Sequence, residues 1–225
     1  MGFISIAIDG PSGAGKSTFA KRLASDIGFV YVDTGAIYRS VGLYALENRV
    51  DSKDRQGVIG LLPEISIEIA YDNFGLQRMI LNGRDVTTDI RLPEVSLYAS
   101  DVSAIPEVRA FLLNMQREFS QKYNVIMDGR DIGTVVLPDA DLKIFLTADN
   151  KERAMRRYRE LIEKGIDTTY EDVLNDMITR DKNDSTRETA PLKMADDAVL
   201  LDTTAFSLDE SYDRIRKIVK DKLDI

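Results

Sequence analysis

The sequence predicts an α/β protein: a parallel sheet of five strands covered by helices, with a small antiparallel insert. Three observations predict it. Short apolar runs rich in Ile and Val alternate along the chain with amphipathic stretches. Those runs are apolar at nearly every position, the pattern of strands buried on both faces. One stretch near residue 65 departs from this rhythm and alternates with period two, as a half-buried antiparallel strand does.

In chain order, Phe3 to Ile8 reads as the first buried strand and Lys16 to Ile27 as the helix after it. Phe29 to Val32 is a short second strand, and Ile37 to Leu46 is helical, with apolar residues at Ile37, Val41, Tyr44 and Ala45. Ile65 to Tyr71 carries the period-two pattern, Met79-Ile80-Leu81 follows, and Asn82-Gly83 supplies a tight turn. Asn124 to Met127, Leu142 to Leu146 and Ala198 to Leu201 are the third, fourth and fifth core strands. Lys151 to Lys164 places Ala154, Met155, Tyr158, Leu161 and Ile162 at helical spacing, and Ser207 to Leu223 is a closing amphipathic helix. The expected organisation is a core of residues 1–59 and 101–225, interrupted by an insert over 60–100. No internal repeat or low-complexity tract breaks this pattern.

Composition narrows the chemistry. The chain has 225 residues, 44% hydrophobic and 30% charged, enough to bury a sizeable core. Its formal net charge of −8 argues against nucleic acid or a membrane surface as a partner, since both are polyanionic. It has neither cysteine nor histidine, which excludes disulfides, thiolate or His-ligated zinc and a Ser-His-Asp triad. Carboxylates, Lys, Arg, backbone amides and a hard metal remain. The first residues lack the basic and long apolar regions of a secretory signal, and Ile6 stands where a myristoylation motif needs Ser or Thr. The expected location is cytoplasmic.

The first strand runs into Gly10-Pro11-Ser12-Gly13-Ala14-Gly15-Lys16-Ser17, a G-x-x-x-x-G-K-S motif between strand and helix. The glycines let backbone N–H groups curl around an oxyanion, Lys16 adds a point charge for the β- and γ-phosphates, and the helix aims its positive end at them. This predicts a P-loop that binds ATP with Mg²⁺, the Ser17 hydroxyl ligating the metal and Thr18 standing as the alternative. No N-K-x-D guanine-reading motif is present, nor an apolar strand ending in Asp-Glu. The size and rhythm favour a compact kinase.

Two further segments follow predicted strands, where ligands bind in such sheets. In Asp33-Thr34-Gly35-Ala36-Ile37-Tyr38-Arg39, Thr34 can N-cap the helix that carries Arg39. In Asp128-Gly129-Arg130-Asp131, Asp128 suits a metal-bound water, Arg130 a phosphate, and Asp131 an exocyclic amine. Arg180, Asp184 and Arg187 fall on one helical face, fit to hold a phosphate and a ribose hydroxyl; that spacing is equally that of a solvated face. Arg153, Arg156, Arg157 and Arg159 suit a lid over the phosphates, or the wet side of an amphipathic helix.

These blocks carry a resemblance. IDGPSGAGKST, DTGAIYR, ASDVSAIPEVR, DGRDIGTVVLPDADLKIFL and RDKNDSTRETAPL, in this order, resemble the bacterial-type cytidylate kinases nearly end to end. The resemblance implies a P-loop NTPase-like fold in which residues 60–100 are a monophosphate-binding insert and about 151–187 a helical lid. It implies transfer of the ATP γ-phosphoryl to CMP or dCMP by a monomer. Ser100, Arg109 and Asp131 would read cytosine. Thr34, Arg39, Arg130 and Arg187 would hold the acceptor phosphate beside Gly129, with Arg180 and Asp184 near the ribose. Lys16, Asp128, Arg130 and Arg157 would serve catalysis. The attacking phosphate oxygen is already anionic, so no general base is needed. Alternatives are a kinase for another monophosphate or for an alcohol, with Asp33 or Asp131 as base, and a non-catalytic nucleotide-binding regulator.

Overall fold

The computed structural model describes residues 2–223, so residue 1 and residues 224–225 of the expected core lie outside it. Five strands form a parallel sheet: β1 (Ser5–Asp9), β2 (Val30–Asp33), β6 (Val125–Gly129), β7 (Leu142–Thr147) and β8 (Val199–Asp202), in the order β2-β6-β1-β7-β8. Pleating sorts the apolar run of β1 between two cores. Ile6 and Ile8 pack with Phe19, Leu23, Tyr212 and Ile215 on one face, and Ala7 with Val32, Met127 and Ile132 on the other. The helices α1 (Lys16–Ile27) and α8 (Leu208–Leu223) supply the first set, and α5 (Pro106–Lys122) lies over the second.

The core strands reach one or two residues beyond their last apolar position. β1, β2 and β6 take in Asp9, Asp33 and Asp128, and the register pairs Asp9 with Gly129 and Asp33 with Asp128. Hydropathy stops at a charge, whereas the backbone ladder continues while a partner strand is present. Three buried aspartates therefore stand side by side on the carboxyl edge of the sheet.

A second sheet of β3 (Ile67–Tyr71), β4 (Gln77–Leu81) and β5 (Arg84–Asp85) is antiparallel. Asn82 and Gly83, at φ 49° and 78°, make the β4–β5 turn, as a two-residue hairpin with both central residues left-handed requires. Its apolar face shares one core with α2 (Thr34–Glu47) and α4 (Pro93–Val102). These two helices cross closely at Gly42, where a Cβ would lie 2.9 Å from the Ala99 amide nitrogen. The helix α3 (Arg55–Leu61), together with α4, α5 and a single π-turn over Ile132–Val136, is not foreshadowed by the periodicity reading. Finally α6 (Asn150–Glu163) and α7 (Tyr170–Thr186) form a helical hairpin with its own small core of Ala154, Leu161, Val173 and Met177. Ile162, expected on the apolar face of α6, is exposed. No helix among the described residues is long and apolar enough to cross a membrane.

Candidate functional site

The donor loop lies between β1 and α1, and its glycines are required by geometry. Gly10, Gly13 and Gly15 have φ of 148°, 72° and 88°, and a Cβ on Gly10 would sit 1.9 Å from the Leu146 carbonyl oxygen. Pro11 and Ala14 are buried beneath the loop. Lys16 is buried and donates to the Pro11 carbonyl at 2.7 Å. Burial and the nearby Arg130 pull its pKa well below the lysine range. Ser17 Oγ donates to Asp128 Oδ2 at 2.9 Å, whereas Thr18 is exposed and does not line the cleft.

Across the sheet edge, Thr34 is not the cap of α2. The cap is Asp33, whose Oδ1 accepts from the Ala36 amide at 3.0 Å. Thr34, one residue further on, instead donates its hydroxyl to the Asp128 carbonyl at 2.8 Å. Asp33 also accepts from Arg91 at 2.8 Å and faces Arg39 at 3.9 Å. Burial would raise this carboxyl, but Arg39 and Arg91 hold it below its ordinary range. Asp128 carries the opposite balance: burial and the adjacent Asp33 push it up, against donated bonds from Tyr31 (2.6 Å) and Ser17.

One pocket joins both sides. It is lined by Ser12, Gly13, Lys16 and Ser17 of the loop, by Thr34 and Arg39, by Ser100 and Arg109, by Asp128–Asp131, and by Arg180, Asp184 and Arg187. The bland alternative for the 180–187 stretch is thereby set aside, because this face of α7 looks into the pocket. Arg187 is the C-cap of that helix, at φ −61° and ψ 141°, and not part of its body. Charge in the pocket is unevenly compensated. Arg130 Nε pairs with Asp184 at 2.7 Å, and Asp131 is shared between Arg109 and Arg187. Arg180 has no such partner at Nε among the described residues, and burial with Arg130 and Arg39 nearby brings its pKa down to about 10. The Ser100 hydroxyl is also buried without a partner among the described residues.

The arginines of α6 divide. Arg153 is buried against the donor loop, Arg156 donates to the Thr203 carbonyl at 2.9 Å, and Arg159 is exposed. Arg157 does not line the pocket; it pairs with Glu160 at 2.8 Å, yet it stands near enough to depress Arg180. Periodicity did not single out Asp9, Tyr31, Tyr38, Arg91 or Asp181. Asp9 accepts from the amides of Ile132 and Gly133 at 2.8 and 2.7 Å, fixing the π-turn that follows Asp131. Its place just before the glycine loop was the available signal. Tyr31 had none, since it occupies an ordinary strand position.

The family model described as "Cytidylate kinase" matches residues 6–221. A cytidylate kinase from Caldicellulosiruptor bescii is 51% identical over 98% of this chain and 99% of its own. One from Thermosipho melanesiensis is 50% identical over 96% and 97%. Among solved structures, an uncharacterized protein from Eubacterium ventriosum superposes with a TM-score of 0.53 at 16% identity, covering 96% of this chain and 98% of its own, a likeness of fold alone.

Proposed function

The chain belongs to the cytidylate kinase family, and from that membership we infer that it transfers the γ-phosphoryl of ATP to the 5′-phosphate of CMP or dCMP, giving ADP and CDP or dCDP. The observation that carries the reading at this chain's own site is the undercompensated cluster of Arg39, Arg130 and Arg180. It lies in the same pocket as Lys16 and Ser17 and has Ser100, Arg109 and Asp131 alongside. A cationic hole facing a phosphate-binding loop suits an acceptor that is itself a phosphate.

The backbone amides of residues 13–18 and the Lys16 ammonium cradle the ATP phosphates within the loop of residues 10–18. Ser17 and Asp128 offer a hydroxyl and a carboxylate side by side, hard oxygen donors that fit Mg²⁺ held mainly by phosphates and water. An ion held there would supply neutralisation of the negative charge on the donor phosphates. On the acceptor side, Arg39, Arg130 and Arg180 hold the CMP phosphate in line, beside Thr34 and Gly129. We place Arg180 with this phosphate and Arg187 toward sugar and base, exchanging the places that the resemblance implies for these two, and keep Asp184 near the ribose. Arg180 is depressed by burial and then by Arg130 and Arg39, whereas Arg187 is depressed by burial and then by Arg109, with Asp131 beside it opposing the shift. Asp131 accepts from the cytosine amine, Arg109 donates to the ring acceptors and Ser100 completes that edge. Uracil reverses donor and acceptor there and would leave buried groups unpaired, a discrimination on the order of 10⁴-fold. Arg157 closes over the transferred group. Residues 60–100 serve as the monophosphate-binding part and 151–187 as the lid. We further propose that the enzyme is a monomer and that it acts in the cytoplasm.

The test is an ADP-release assay with CMP, dCMP, UMP, AMP and shikimate as acceptors. Preference for CMP and dCMP is expected. CMP no better than UMP, AMP or shikimate ends this reading.

A further inference from the structure

The Ser12 peptide, in the middle of the donor loop, is gripped from both sides. Its N–H donates to Asp181 Oδ1 at 3.0 Å, and its carbonyl accepts from Arg153 Nη1 at 2.5 Å. The two grips join, with Arg153 Nη1 at 2.7 Å from Asp181 Oδ2. Arg153 spends its other donors near the start of its own helix, Nε on the Ala148 carbonyl at 2.9 Å and Nη2 on Asn150 at 2.5 Å, and is buried. It is not free to reach a phosphate. Beside this clamp, Met177 of α7 presses on Gly13, where a Cβ would lie 2.7 Å from its Cε.

A carboxylate at a phosphate-binding loop opposes its ligand by charge, and a neutral acceptor could satisfy the Ser12 amide equally well. Asp181 pays for its place by what lies on either side of it on α7. Arg180 precedes it and Asp184 follows three residues later, both in the pocket. The helix that holds the donor loop therefore also aims two acceptor-side groups, within one helical turn.

We propose that Arg153 and Asp181 are positioning residues: they set the Ser12 peptide for the donor and, through α7, transmit occupancy of the donor loop to Arg180 and Asp184. This rests on the phosphotransferase reading above. Neither residue touches substrate. Arg153 neutralises Asp181, so the pair costs the phosphates little; Asp181 alone would repel them. Transmission is reciprocal, so CMP must alter donor affinity by the same factor as the donor alters CMP affinity.

The experiment is equilibrium binding by calorimetry of a non-hydrolysable ATP analogue and of CMP, each alone and with the other present. It uses the wild type, Asp181→Ala, which removes both the acceptor and the charge, Arg153→Met and the double variant. In the wild type, CMP affinity with and without the analogue should differ by roughly fivefold or more, the lower range of such couplings. Arg153→Met should weaken the analogue by roughly tenfold or more, and adding Asp181→Ala should recover part of that loss. In all three variants the coupling ratio should fall toward one, while CMP alone binds within about twofold of wild type. A double variant no better than Arg153→Met, or an unchanged coupling ratio in Asp181→Ala, overturns the proposal. Should Arg153→Met fail to fold, the Asp181→Ala ratio decides alone. Failure of wild type to phosphorylate CMP would instead refute the function, since it leaves the coupling between the two bound ligands measurable.

Discussion

Arg180 should be a residue that the fold would be more stable without. Its guanidinium lies among like charges, its Nε is buried with no partner among the described residues, and burial brings its pKa down from the ordinary arginine range to about 10. At about 1.4 kcal/mol per pKa unit, that displacement is about 3 kcal/mol of disfavour for the charged form. The sign is plain. Below pH 10 the side chain is charged in both folded and unfolded chains, so the penalty is constant near neutrality and appears only when the charge is removed. Arg180→Met keeps most of the length and loses the charge. It should gain roughly 1–3 kcal/mol in urea unfolding, or roughly 2–10 °C in Tm for a chain of this size. The same charge is what the CMP phosphate needs. Losing a charge-assisted hydrogen bond costs about 1.5–3 kcal/mol, so KM for CMP should rise roughly 10- to 150-fold with ATP affinity little changed. Inorganic phosphate should stabilise the wild type more than the variant. A variant less stable than wild type with an unchanged KM for CMP would refute the reasoning, because Arg180 would then be a structural cation.

Ser100→Ala removes a buried hydroxyl that makes no hydrogen bond to the described residues. Unfolding free energy should stay within about 0.5 kcal/mol while the CMP-to-UMP ratio of kcat/KM drops; unchanged selectivity would remove Ser100 from base reading. Tyr31→Phe deletes the 2.6 Å donor that orients Asp128, so half-saturation by Mg²⁺ should move upward roughly threefold to tenfold, with kcat recovering at excess Mg²⁺; an unshifted Mg²⁺ titration speaks against that orienting role. Asp9 is raised from 3.8 to about 6, chiefly by burial. The folded chain thus holds a proton there that the unfolded chain has released, and wild-type stability loses about 3 kcal/mol as pH climbs from about 4 to about 6. Asp9→Asn lacks this loss, so the difference between variant and wild type should shift in the variant's favour across that window; a flat difference in urea midpoints at pH 4.5 and 7 would contradict it.

What could be read from the sequence follows the range of the interactions involved. The five core strands and α1 were legible because burial on both faces writes itself into consecutive residues, and the P-loop because its geometry demands glycines at fixed spacing. The strand ends were not, since Asp9, Asp33 and Asp128 look like loop residues to any hydropathy argument, while the ladder that includes them depends on a neighbouring strand. Thr34 as a helix cap was the reasonable local choice, and it failed because Asp128, 94 positions away, offered its carbonyl to that hydroxyl. Arg153 and Asp181 show the limit most clearly. In the chain they sit within charged runs that any solvated helix would have, yet their partner is Ser12, 141 and 169 positions distant. A local pattern can say that a charge stands on a helix; whether it faces water or a phosphate loop is decided by the order in which the strands assemble. Here the central place of β1 in the sheet puts the donor loop beside both the β6 carboxyl end and the α6–α7 hairpin. That placement turns Arg180, Asp184 and Arg187 at the end of α7 into the pocket and leaves Arg159 of α6 in solvent.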